Sequence, residues 1–179
     1  YEQDKAANAP QPKYRCLVWA CPAHYYTNFT YWTQHCWGVT CVNDMEAMLS
    51  YQPITIGDKE QALADLVRCY EKMMMRSHTN GGYVNLLDEC WKMCEKFHTN
   101  IVIMYDHVSC KNVGGLHGLF EDQARERGIH LIWIPHDVMD PRTVSRREMR
   151  EAFSQYMVTV LNEKPLDPTL LDYEDTLSW

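Results

Sequence analysis

No stretch of this 179-residue chain approaches the roughly 20 consecutive apolar residues that cross a bilayer, and its first residues carry no secretory-signal pattern. Nucleotide signatures are missing as well. There is no G-x-G-x-x-G, so nicotinamide binding has no support, and there is no P-loop. No G-x-S-x-G elbow supports a serine hydrolase. Positive charge is scarce: 17 Lys and Arg stand against 24 Asp and Glu, a formal net charge of −7. Beyond Arg142, Arg146, Arg147 and Arg150 no basic stripe exists to follow a phosphate backbone, which excludes nucleic acid as a partner class. Internal repeats and low-complexity segments are also absent. These gaps leave a soluble, cytoplasmic protein without a membrane span as the expectation.

What remains is ordinary in bulk and unusual in detail. Hydrophobic residues make up 46% and charged residues 23%, enough for one domain with a sizeable core, or one domain plus an arm. Six Trp, eleven Tyr and ten Met suggest large buried contacts, a partner surface among them. Eight cysteines fall at positions 16, 21, 36, 41, 69, 90, 94 and 110. Without a secretory signal a disulfide framework is the weaker reading. Metal or cluster ligation competes with plain burial of reduced thiols, and burial is expected for most of the eight. The chain begins with Tyr1, and residues 1–12 read as a linker or the remnant of a preceding domain.

Periodicity organises the rest. Residues 14–20 read as a buried strand halted at Cys21-Pro22, residues 27–37 as an aromatic helix and residues 39–42 as a short strand. Residues 44–51 suggest a helical turn closed by Pro53. Asp58 can cap a helix over 58–77, in which Ala62, Leu63, Leu66, Val67, Tyr70, Met73 and Met74 recur at helical spacing. Asn80-Gly81-Gly82 breaks the chain before a second helix over 83–97. Residues 101–105 are a strand, 113–127 a helix closed by Gly128 at C′, and 130–135 another strand. Ser145-Arg146-Arg147-Glu148 is a capping box opening a helix to about residue 162. The alternation predicts an α/β fold with a parallel sheet flanked by helices, a domain over 13–163, and an acidic extended arm over 164–179.

Chemistry concentrates where strands end. Cys110 sits between the strand at 101 and the following helix, beside His107, Ser109 and Lys111. Ligands of open α/β sheets bind outside the carboxyl ends of strands, and a helix N-terminus there favours a thiolate. Either metal ligation or a buried structural thiol fits this position. Cys21, at another strand end, is a candidate partner on the same edge; Cys36 and Cys41 are weaker ones. Cys90 and Cys94, four apart on a helix, share a face; zinc is one reading, but Leu86, Leu87 and Trp91 favour a packed face. Cys16 and Cys69 look structural. His136 and Asp137 follow the strand at 130 and fall at the edge that carries Cys110, whereas Asp140-Pro141-Arg142 reads as turn chemistry.

Ser109-Cys110-Lys111, then Asp137-Val138-Met139-Asp140-Pro141-Arg142, then a helix opening Ser145-Arg146-Arg147-Glu148-Met149, stand in the order seen in one family. The chain resembles the 2-hydroxyacyl-CoA dehydratase / benzoyl-CoA reductase family, specifically the C-terminal Rossmann-like domain of a multidomain core subunit of the benzoyl-CoA reductase type. The resemblance implies an enzyme subunit that holds a [4Fe–4S] cluster, with Cys110 as one ligand and the remaining ligands in an earlier domain. It also implies a homologous core subunit as heterodimer partner and an ATP-hydrolysing iron–sulfur activator. The reaction implied is passage of low-potential electrons into an acyl-CoA thioester. A benzoyl-CoA-like aromatic substrate is the first reading, and elimination of water from an (R)-2-hydroxyacyl-CoA through a ketyl radical is the alternative. A non-catalytic interaction subunit of the same fold is the third. Cys110 and Cys21 are thus candidate metal ligands. His107, Ser109, Lys111, His136 and Asp137 are candidate substrate-binding residues, and Trp19, Trp32, Trp37 and Tyr105 could shield the cluster.

Overall fold

Four apolar runs pair side by side, all parallel, in the computed structural model, which describes residues 3, 7, 11–46, 53–71 and 73–172, with only the backbone of residues 74, 75, 77, 79 and 80. The expected linker at 1–12 lies almost wholly outside the described residues, as do the end of the turn expected at 44–51 and the last part of the arm. The strands are β1 (Tyr14–Trp19), β2 (Val39–Asp44), β3 (Ile101–His107) and β4 (His130–His136). Their order across the sheet is β2-β1-β3-β4. Cys16 pairs with Ile101 and Trp19 with Met104; Ile101 pairs with His130 and His107 with His136. The central strand β3 is buried from Ile101 to Tyr105 without a break, as expected of a parallel strand covered on both faces.

Helices cover those faces. The side chain of Tyr105 meets Phe29 of α1 (Phe29–Trp37), and Phe29 meets Phe153 of α6 (Arg146–Thr159), with ring centroids 6.0 and 5.8 Å apart. On the opposite face Trp133 of β4 meets Phe120 of α5 (His117–Arg127), and Phe120 meets Trp91 of α3 (Met74–Phe97), at 6.3 and 5.8 Å. Adjacent residues of a strand point to opposite faces, so the register of Met104 with Trp133 puts Tyr105 and Trp133 on different sides. The expected capping box is present: Ser145 Oγ accepts from the Glu148 N–H, and Glu148 accepts from the Ser145 N–H.

Two expected helices are each divided. The run expected over 58–77 forms α2 (Lys59–Glu71) and then breaks at Met73, whose backbone is extended (φ −62°, ψ 136°), before α3 begins. Asp58 caps α2 by accepting from the Gln61 N–H at 3.1 Å. The apolar stripe of α2 does not face the core; Leu63, Leu66, Val67 and Tyr70 are exposed. The buried member is instead Asp65, which accepts from the Thr55 N–H and hydroxyl, from Gln61 and from Arg68. That polar hub, rather than apolar packing, ties α2 down. The run expected over 113–127 divides into α4 (Lys111–Gly114) and α5. Gly82, with φ 71° and ψ −176°, kinks α3 at the expected break.

Candidate functional site

The sheet reverses its direction of growth at β1. The chain crosses from β1 outward to β2, then returns to place β3 on the other side. Crossovers leaving in opposite directions open a crevice at the carboxyl ends of the two central strands, where ligands of such sheets bind. A pocket of about 180 Å³ lies there. From β1 and its exit come Trp19, Ala20 and Cys21; from β3 and its exit come Met104, Tyr105, His107 and Cys110; His78 and Leu86 of α3 close it, with Met45, Asn112 and Val113.

Thus Cys21 and Cys110, from two strand ends far apart in sequence, line one cavity. Cys110 follows the turn closed by its own N–H donating to the His107 carbonyl at 2.9 Å. Its side chain does not cap α4, which leaves the half-buried thiol to the pocket. The Cys21 thiol donates to Glu46 Oε1 at 3.0 Å. Burial first, and then that carboxylate, push its pKa up to about 12. His24 Nε2 stands 3.9 Å from the same sulfur.

The histidines divide by role. His107 Nδ1 lies 3.1 Å from both the N–H and the hydroxyl of Ser109. A backbone N–H can only donate, so Nδ1 is the acceptor and the neutral ring carries its proton on Nε2. His78 packs on Trp19 at 5.4 Å, and burial lowers its pKa to about 4, so the pocket meets a neutral imidazole. His136 is fully buried against Tyr105 and His107 and is not part of the lining. Neither of its nitrogens completes a hydrogen bond of normal geometry. Burial, then the electrostatic influence of the His107 ring, lower its pKa more than nearby backbone groups raise it. Burial likewise drives the Tyr105 hydroxyl well above its usual range.

The other expected residues are dispersed. Lys111 starts α4 and is exposed, as is Ser109. Asp137 accepts from the Met139 and Asp140 N–H groups, both at 2.9 Å, which holds its carboxyl below the usual range. Arg142 pairs with Asp140 and lowers that pKa to about 2. Cys16, Cys36, Cys90 and Cys94 are buried in the core, and Cys41 packs against it. Of the aromatic residues expected as a shield, Trp19 and Tyr105 line the pocket, whereas Trp32 donates to the Leu170 carbonyl elsewhere and Trp37 sits in the core.

Sequence reasoning missed His24, Glu46 and His78. The Cys-x-x-His spacing of Cys21 and His24 at a strand exit was a usable signal. Glu46 and His78 had none, because only the packing of β2 and α3 beside β1 brings them in. The residues present fit an iron–sulfur cluster in part: two half-buried thiols face an apolar crevice, where a [4Fe–4S] centre uses three or four cysteines.

A family model described as 2-hydroxyglutaryl-CoA dehydratase, D-component, matches residues 1–157. No curated protein matches the chain.

Proposed function

Because this chain belongs to the 2-hydroxyglutaryl-CoA dehydratase D-component family, we propose that it is the part of a dehydratase- or reductase-type subunit that delivers electrons to an acyl-CoA thioester at the Cys110 pocket. The carrying observation is the convergence of Cys110, His107, Trp19 and Tyr105 on one crevice at the sheet's switch point. Cys110 is the cluster ligand this chain supplies and an earlier domain supplies the others; Cys21, whose thiol is engaged by Glu46, is not among them. A cluster held there provides one low-potential electron at a time.

The chain's own residues prepare the site. Trp19, Met45, Leu86 and Met104 exclude water and lower the local dielectric, which strengthens every charge interaction inside. Ser109 fixes the His107 tautomer, so the ring offers Nε2–H to an oxygen on which negative charge develops. Lys111 adds a cation at the same edge, suited to an acyl-CoA phosphate. His136 packs behind His107 and sets its angle, and Asp137 shapes the turn beside it. The aromatic lining favours a planar, benzoyl-like acyl group. The family's description favours the second reading, loss of water from a 2-hydroxyacyl-CoA. In either case the subunit works with a homologous core subunit and an ATP-hydrolysing activator.

The test is iron and sulfide content of the assembled protein isolated without oxygen, with visible absorption before and after dithionite. About four irons and four sulfides per cluster, bleaching on reduction and lost in Cys110→Ser, are expected. Iron retained in full by Cys110→Ser would remove this reading. Turnover of benzoyl-CoA against a 2-hydroxyacyl-CoA then separates the two reactions.

A further inference from the structure

We propose that Cys21, His24 and Glu46 form a mononuclear site for a zinc-type divalent ion at the rim of the pocket, separate from the ligation assigned to Cys110 and not resting on it. Two neighbouring parallel strands deliver the ligands to one edge. Cys21 and His24 lie on the exit of β1, and Glu46 on the exit of β2. The donor atoms, Cys21 Sγ, a His24 ring nitrogen and a Glu46 carboxylate oxygen, all lie within 4.8 Å of one another. The Sγ–Oε1 separation is 3.0 Å and the Sγ–Nε2 separation 3.9 Å. A tetrahedral ion with ligands at about 2.0–2.3 Å sets ligand–ligand edges of about 3.3–3.8 Å. The two sulfur edges lie within about 0.8 Å of these values and the nitrogen–oxygen edge, at most 4.8 Å, within about 1.5 Å, so the triangle closes around such an ion by rotation of side-chain torsions.

The backbone beneath the ligands is fixed. The His24 N–H donates to the Val138 carbonyl at 2.9 Å, and the Met45 N–H donates to the Val18 carbonyl at 3.0 Å. Sulfur, nitrogen and carboxylate oxygen are the donor set of borderline divalent ions, not of magnesium or calcium. Charge also balances: one thiolate, one carboxylate, a neutral imidazole and a dication sum to zero, which suits the half-buried Cys21 sulfur beside an exposed His24. On binding, the ion takes the place of the Cys21 proton now shared with Glu46. That proton leaves to solvent, three coordinate bonds form, and no group changes oxidation state. Three protein ligands leave a fourth position for water or for a carbonyl oxygen entering the pocket, the ligand count of catalytic rather than structural zinc.

The test uses the full chain, freed of metal by a chelator and kept without oxygen, titrated with Co²⁺ and in parallel with Zn²⁺ against a chromophoric competitor. One ion per chain is expected, with visible ligand-field bands and a thiolate-to-cobalt band in the near ultraviolet. Cys21→Ser abolishes the thiolate band, and His24→Ala and Glu46→Gln, which remove direct ligands, weaken affinity by at least the roughly 10- to 100-fold that loss of an outer-shell partner costs. Cys110→Ser leaves the bands unchanged, so failure here and failure of the cluster reading are read separately. No uptake by the wild type overturns the proposal. So does a thiolate band that survives Cys21→Ser, or one lost in Cys110→Ser or Cys94→Ala. Thermal melts of each variant separate lost ligation from lost folding.

Discussion

Ala20 carries the clearest strain at the level of single residues. It has φ 66°, a left-handed conformation that costs a side-chain-bearing residue about 1 kcal/mol, and it immediately precedes Cys21 on the pocket wall. Turning the chain sharply there aims Cys21 back over the strand ends. Ala20→Gly is expected to stabilise the fold by up to about 1 kcal/mol, measured by denaturant unfolding, while loosening the Cys21 loop. His136 supplies the second residue-scale expectation. Its pKa is lowered from 6.5 by burial and by His107, so the unfolded chain binds its proton at a higher pH than the native one. Unfolding then takes up a proton, and stability falls as pH drops below about 6.5 toward the depressed native value, with no further loss from this group below it. His78 acts in the same direction between about 6.5 and about 4. His136→Phe should keep the packing, remove the orphaned nitrogens and flatten this part of the Tm–pH curve. A variant whose acid slope matches the wild type would contradict this assignment.

The elements show where sequence patterns carry and where they fail. β3 was legible because a strand buried on both faces is an uninterrupted apolar run, and β1 and β4 because each holds a shorter apolar stretch bounded by a turn residue or a histidine. The Ser145 capping box and Gly128 were legible because each is chemistry local to a few residues. The stripe on α2 marked a helix and no more, since helical spacing reports a face without saying what covers it. Gly82 lies within α3 in a region of φ/ψ open essentially to glycine alone, so Gly82→Ala is expected to cost about 1–3 kcal/mol. The loss should appear as a lowered denaturation midpoint. Because His78 and Leu86 flank that kink and line the pocket, the same variant should alter access to it, read as faster alkylation of Cys110 by a thiol reagent.

For the whole molecule, topology supplies the site and the sequence supplied its two anchors. Strand alternation was enough to predict a parallel sheet and to put Cys21 and Cys110 at strand ends. It could not say that β1 and β3 are neighbours, and only that adjacency puts the two thiols in one crevice. Glu46 escaped for the same reason: its meeting with Cys21 depends on β2 lying next to β1. Across the described residues no helix is long and apolar enough to cross a membrane.

The strand order also dictates a timetable. β3 and β4 are joined by one short crossover, whereas β1 finds β3 across a long excursion: Arg15 bonds Asn100 from 85 residues away. Closing a longer loop loses more chain entropy before any contact compensates it, and non-local pairing slows folding. The β3–α5–β4 unit can therefore assemble while β1 waits. The crevice straddles the β1–β3 seam, so it is completed only when the last central strand docks, and a transient parting of that seam would expose both pocket thiols together.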